Sequence, residues 1–163
     1  KLIGFGCDFG YSNDPSTLIS IHQLNENDLY INELIYQTQL TNTDLGKKIK
    51  QLNLPNLTIF ADSSNPGGIE EIRRMGINIQ PAKKGPDSIK LGIDILQRFN
   101  LHITSNSLNL IKEFRNYKWE TNKSGGLTGS PIDTYNHGID GIRYLAMMKL
   151  KQNKSGIYNT ITI

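Results

Sequence analysis

Three aspartates and one histidine stand where side-chain chemistry is expected. Asp8 closes the apolar stretch Leu2-Ile3-Gly4-Phe5-Gly6-Cys7, and Asp62 closes another, Thr58-Ile59-Phe60-Ala61. A carboxylate at the end of a buried strand is costly unless water, a metal or a cation satisfies it. Aspartate also caps turns and helices, and Asp62 reads equally well that way. Asp14, directly before Pro15, reads as a turn residue. Farther along, His137-Gly138-Ile139-Asp140-Gly141-Ile142-Arg143-Tyr144 places a histidine and an aspartate at i and i+3, on one face of a helix. Such a pair ligates a metal, shuttles a proton or lies on a solvated face, and spacing alone favours the solvated face. Gly138 and Gly141 are poor helix formers that leave room for something bulky near Asp140.

Periodicity gives the elements that must position these groups. Residues 2–8 read as a buried strand, while residues 16–24 and 29–36 alternate apolar and polar as half-buried strands do. Short turns between them predict an antiparallel meander. Thr43 or Asp44 offers an N-cap to a helix carrying Leu45, Ile49 and Leu52, and residues 57–61 form a short, wholly apolar strand. Ser64 or Asn65, with Pro66 behind it, opens a helix that turns Ile69, Ile72 and Met75 inward and stops at Gly76. A strand over 77–80 follows. Residues 88–99 predict a helix with Ile89, Ile93 and Leu96 on one face, then a brief strand over 101–104. Ser107 caps a helix with Leu108, Ile111 and Phe114 inward. Residues 119–132 predict a hairpin or ordered loop, and a last helix runs from about 134 to 149. One domain is expected over 1–150, followed by a C-terminal tail over 151–163 in which 157–163 reads as a tail or a last strand.

A chain of 163 residues, 37% of them hydrophobic, fits one ordinary domain. That apolar content and the absence of a repeat exclude disordered, collagen-like and low-complexity classes. No apolar run approaches the roughly 20 residues that span a bilayer, so no membrane partner is expected. Cys7 is the only cysteine and cannot form an internal disulfide, which suits a reducing compartment. Residues 1–100 carry 10 Lys and Arg against 11 Asp and Glu, and residues 101–163 carry 8 against 4. The basic last third suits a polyanion, or simply a solvated face.

Several of these stretches together resemble the nuclease domain of the large terminase subunit of tailed bacteriophages. They are Gly6-Cys7-Asp8-Phe9-Gly10 with Asp14-Pro15-Ser16, Ala61-Asp62-Ser63, Lys84-Gly85 followed by Ser88-Ile89 and Gly92-Ile93, and the run from His137 to Tyr144. The last is the most specific. Asn136 departs from the pattern, because many relatives carry a second acidic residue there; it is given no metal role, and Asp133 is a spare acidic ligand nearby. The resemblance implies an α/β, ribonuclease H-like fold: a mixed central sheet with an antiparallel three-strand meander followed by parallel strands, flanked by helices. It implies two divalent cations, Mg²⁺ or Mn²⁺, held by Asp8, Asp62 and Asp140, with Asp8 bridging and His137 orienting a ligand or relaying a proton. Two such ions about 4 Å apart clamp an in-line phosphoryl displacement. The implied reaction is endonucleolytic, largely sequence-independent cutting of double-stranded concatemeric viral DNA during genome packaging. Lys83 and Lys84, which open a loop after a strand, and Arg115, Lys118 and Lys123, which bracket the turn-rich segment, are expected to contact phosphates.

By the same resemblance the partners are double-stranded DNA, an N-terminal packaging ATPase domain of the same polypeptide, the portal protein and the small terminase subunit, in the host cell cytoplasm. No Walker A sequence occurs in these residues, so that ATPase is expected outside them. The start at Lys1-Leu2-Ile3 enters a strand directly and reads as an edge within a longer protein. Two other enzyme classes compete. Resolvases and transposases share the carboxylates but not the His137-to-Tyr144 run. Asp8-Phe9-Gly10-Tyr11-Ser12-Asn13 also looks like the first phosphate turn of actin-like ATPases, yet Asp62-Ser63-Ser64-Asn65-Pro66-Gly67-Gly68 matches their second loop poorly, and the chain is short for their two domains. A non-catalytic interaction module leaves three acidic residues at element ends without a purpose.

Overall fold

Side-chain alternation gives the first strand, β1 (Leu2–Asp8), two unlike faces. Phe5 and Cys7 point into one core, whereas Gly4, Gly6 and Asp8 occupy the other side. The computed structural model describes residues 1–150; the expected tail and last strand lie outside the described residues. β2 (Ser16–Gln23) and β3 (Asp28–Gln37) complete the antiparallel meander. β4 (Ile59–Ala61) adds in parallel to the free edge of β1, and β5 (Ile79–Pro81) adds in parallel to β4. β6 (Asn100–Ile103) pairs in parallel with β3, giving the order β5-β4-β1-β2-β3-β6. This is the mixed sheet that the sequence predicts.

Helices cover both faces. α1 (Asn42–Gln51) and α2 (Pro66–Arg74) lie over Phe5, Cys7, Leu18 and Ile35 through Leu45, Ile49, Ile69 and Ile72. α3 (Ser88–Leu96), α4 (Leu108–Asn116) and α5 (His137–Lys149) cover Ile19, Ile21, Leu29, Ile31 and Phe60. α5 is the central one, resting on β1, β2 and β4. Its Ile142 and Leu145 are fully buried, and each contributes about 1.5–3 kcal/mol to holding it there. Contact is close enough that a Cβ on Gly6 would lie 1.9 Å from the carbonyl oxygen of Gly141. The room at Gly138 and Gly141 is therefore filled by protein, not by a ligand: Gly141 meets the β1 backbone and Gly138 meets Leu110 and Glu113.

Several helix boundaries and faces differ from the sequence expectation. α1 is capped by Thr41, not Thr43 or Asp44; Asp44 is the third helical residue and closes a reciprocal capping box, while Leu52 lies exposed beyond the helix. α3 ends at Leu96 and turns Gly92, Ile95 and Leu96 inward, leaving Ile89 exposed. Gly92 packs on the Arg143 side chain, so the face nearest α5 carries a glycine that an apolar count overlooks. α4 buries Leu110 and Glu113, not the Leu108, Ile111 and Phe114 stripe; Leu108 is exposed and the other two are only partly covered. Residues 119–132 form the hairpin, β7 (Trp119–Thr121) with β8 (Leu127–Pro131), a separate two-stranded sheet. α5 begins at His137, after an irregular approach over 132–136.

Candidate active site

Strand register brings two of the aspartates together. Gly6 pairs with Phe60 and Cys7 with Ala61, and the Asp62 N–H donates to the Cys7 carbonyl at 3.2 Å. Asp8 and Asp62 thus leave adjacent parallel strands at one edge of the sheet. Phe60 packs in the core beneath α5, so a period of two puts Asp62 on the same side as Asp8. α5 then presents His137 and Asp140 from its first turn to that edge.

Every carboxylate here has a cationic partner. His137 Nδ1 lies 3.4 Å from Asp8 Oδ2, and its Nε2 lies 3.3 Å from Asp14 Oδ1. Lys84 pairs with Asp62 and stands over the Tyr144 ring, 4.8 Å from its centroid. The Ser64 N–H and hydroxyl donate to Asp62 at 2.9 and 2.6 Å. Arg143 donates to Asp140 Oδ1 from Nη2 at 2.6 Å and from Nε at 3.2 Å. The Tyr144 hydroxyl donates to Asp8 Oδ1 at 3.5 Å.

These environments set the protonation. Burial pushes the Asp8 carboxyl up to about 6, against the hydrogen bond from His137, and the charges of Asp140 and Asp62 push the same way. Burial also raises Asp140, although Arg143 opposes it. Burial works against ionising Asp62 too, yet Lys84 and Ser64 prevail and hold it below the usual carboxylate range. His137 is raised, chiefly by its contact with Asp8. The Cys7 thiol is fully buried and held far up, which removes it as a nucleophile.

Three carboxylates at one sheet edge are a hard oxygen donor set, the kind that Mg²⁺ or Mn²⁺ takes. Among the described residues, no three His, Cys, Asp or Glu side chains enclose a metal site in the present rotamers. Asp62 and Asp140 are turned to Lys84 and Arg143 instead. The donor set fits the ions, provided those two cationic side chains yield.

The expected phosphate contacts divide in two. Lys84 is drawn into the site by Asp62, with Lys83 exposed beside it. Arg115, Lys118 and Lys123 are exposed at the end of α4 and along the hairpin, away from any ion pair among the described residues. The sequence reading missed Asp14, Tyr144 and Glu113 as neighbours of the site. Tyr144 follows Asp140 by one helical turn, so the stripe His137, Asp140, Tyr144 was available from spacing. Asp14 reaches His137 only through the path of the loop after β1, and Glu113 sits on a helix face that apolar periodicity assigns to solvent.

A family model of the terminase RNase H-like domain matches residues 8–147. The chain belongs to this family. The large terminase subunit of Bacillus phage SPP1 is 34% identical over 155 residues, which is 90% of this chain and 36% of that protein, so the chain spans about a third of its relative. The SPP1 large terminase nuclease domain, solved with bound Mn, matches with a TM-score of 0.81 at 28% identity, covering 91% of this chain and 86% of that one. The nuclease domain of the P22 large terminase shares the fold, with a TM-score of 0.68 at 14% identity over 91% and 83% of the two chains. This fold is the ribonuclease H-like architecture that the sequence implies.

Proposed function

We propose that this terminase domain is a metal-dependent endonuclease that cuts double-stranded DNA during genome packaging, with Asp8, Asp62 and Asp140 holding two divalent cations. The observation that carries this reading is Asp8 itself: buried, raised to about 6, and under the negative charge of two other strand- and helix-end aspartates. Such a carboxylate is destabilised until a cation shares it. The SPP1 relative was solved with bound Mn, which supports divalent-cation binding in this domain. When bound, two such ions stabilise the attacking and the leaving oxygen of an in-line displacement.

The chain's own residues have distinct parts. Asp8 would be one of the residues holding the cations, and the Tyr144 hydroxyl fixes one of its oxygens. Asp62 and Asp140 would hold the cations with it, which requires Lys84 to leave Asp62 and Arg143 to yield on Asp140. Lys84, once released, sits where an incoming phosphate is neutralised, with Lys83 beside it. His137, in its neutral form, accepts a proton at the edge of the site, and Asp14 steadies its other nitrogen. Arg115, Lys118 and Lys123 grip the duplex backbone, and the absence of a base-reading element among the described residues makes cutting largely independent of sequence. In the longer polypeptide the domain works beside the packaging ATPase, with the portal and the small terminase subunit, in the host cytoplasm.

Supercoiled plasmid tests this directly. The domain converts it to nicked and linear forms in Mn²⁺ or Mg²⁺, stops in EDTA and hydrolyses no ATP. Asp8→Asn lowers the rate by about 10²-fold or more, a loss of several kcal/mol of transition-state stabilisation. Cutting that persists in EDTA, or in Asp8→Asn, contradicts the reading; ATP hydrolysis without cutting favours the actin-like alternative.

A further inference from the structure

Glu113 is a carboxylate that the proposed chemistry does not use, yet it is 1% exposed. It lies on α4, the only charged residue that helix buries. Oε1 accepts from the Gly138 N–H at 3.1 Å and from the Tyr36 hydroxyl at 2.9 Å, and Oε2 accepts from the Ile139 N–H at 2.9 Å. Gly138 and Ile139 are the second and third residues of α5, whose amides an N-cap side chain ordinarily receives. The N-cap residue of α5, Asn136, makes no such bond; its Nδ2 goes to Asp133, and its Oδ1 is buried without a partner. The cap of α5 is therefore supplied from another helix. The residues of the site flank the two amides that Glu113 holds: His137 is the first residue of α5 and Asp140 the fourth.

The packing agrees. A Cβ at residue 138 would lie 2.3 Å from Leu110 Cδ2 and 3.1 Å from Glu113 Oε2, so glycine there lets the carboxylate reach the amides. From β2 the Thr17 hydroxyl donates to the His137 carbonyl at 3.2 Å, which fixes the same turn from the opposite side. Glu113 also lines, with His137, Asp14, Tyr36 and Asp133, an open cleft of about 600 Å³ beside the site. An anion that ties two N-terminal amides also complements the positive end of the helix macrodipole.

We propose that Glu113 is a positioning residue of the nuclease centre: through the Gly138 and Ile139 amides it sets the seat of α5, and with it the placing of His137 and Asp140. The proposal rests on the nuclease reading above. Residues that orient metal ligands typically cost about 10- to 100-fold in metal affinity or activity when replaced. Glutamine at 113 keeps the size but offers one oxygen where three donors converge.

The test compares wild type with Glu113→Gln and Glu113→Asp by amide hydrogen exchange, Mn²⁺ titration calorimetry and plasmid nicking. Both variants are expected to speed exchange at Gly138 and Ile139 about tenfold or more while β1 and β2 amides stay protected, to weaken Mn²⁺ binding and to lower kcat about 10- to 100-fold, with KM for DNA unchanged. Should Glu113→Gln fail to fold, Glu113→Asp, which keeps the charge but shortens its reach, carries the comparison. A variant with wild-type kcat and Mn²⁺ affinity overturns the positioning role, and so does faster exchange spread over the whole sheet, which marks general destabilisation. If the wild type neither binds Mn²⁺ nor nicks DNA, the nuclease reading falls; if it does both and the variants match it, only the role of Glu113 falls.

Discussion

Where α5 crosses β1, backbone meets backbone, with Gly6 and Gly141 in contact and Phe5, Cys7 and Ile142 beside them buried. Nearby, the acidic groups each have a named partner: His137 for Asp8, Lys84 for Asp62, Arg143 for Asp140. The β7–β8 hairpin is its opposite. Residues 120–130 are exposed throughout, the two strands pair with each other alone, and Lys118 and Lys123 reach into solvent. On the proposed reading, the groups that would hold ions sit on paired strands and a packed helix, where neighbouring atoms lock their rotamers. The groups proposed to neutralise phosphates need only charge and reach, and a self-contained ribbon supplies both.

Breaking the first region has the largest expected effect. In Gly6→Ala the new methyl collides with the Gly141 carbonyl, so α5 must shift or the domain fails to fold. We expect a loss of at least ~3 kcal/mol in stability and of about 10²-fold or more in nicking, since a 1 Å misplacement of reacting groups costs that much. Gly85→Ala is the control, because nothing lies within 4 Å of its Cβ position. Equal melting temperatures and equal nicking for the two variants would remove the argument for a tight α5–β1 seat.

Next comes the charge stored at Asp8. Its carboxyl titrates near 6 in the fold against an ordinary value of 3.8, so the folded state holds an extra proton between those values. Stability of the EDTA-treated protein therefore falls as pH rises from about 4 to about 6, by up to ~3 kcal/mol. His137, raised by Asp8, adds a further loss as pH climbs past its own elevated value. Asp8→Asn abolishes the first slope and is more stable than wild type above pH 6 without metal. Denaturant unfolding at pH 4.5 and pH 7 reads both effects, and a pH-independent wild type contradicts them.

His137→Ala is a smaller break: we expect turnover to fall about 10- to 100-fold, with a flattened rise of activity with pH and DNA binding little changed. An unchanged rate and pH profile would demote His137 to a packing residue. The smallest effects belong to the hairpin. Lys118→Ala and Lys123→Ala should each weaken DNA binding equally on any sequence and reduce the slope of log affinity against log salt by about 1. Binding titrations at several salt concentrations decide it; an unchanged slope would place the duplex elsewhere.

The same contrast explains what was legible in the sequence. Asp8 and Asp62 could be picked out because each closes an apolar stretch, and His137 and Asp140 because they stand three apart in a glycine-spaced helical run; the meander followed from alternation in residues 16–36. Glu113 could not, because its burial depends on two amides of α5 and a tyrosine of β3, both distant in sequence. Nor could the pairing of Lys84 with Asp62, which needs the loop after β5 to fold back over Tyr144. The inward faces of α3 and α4 were misread for a related reason: a glycine and a glutamate face their neighbours, and a count of apolar residues rewards neither.

Anomalous diffraction from crystals soaked in Mn²⁺ tests the central claim most directly. The carboxylate reading predicts manganese peaks bounded by Asp8, Asp62 and Asp140, with Lys84 turned away from Asp62, and no peak at this edge in Asp8→Asn. Manganese bound elsewhere, with the Lys84–Asp62 and Arg143–Asp140 pairs intact, would contradict it.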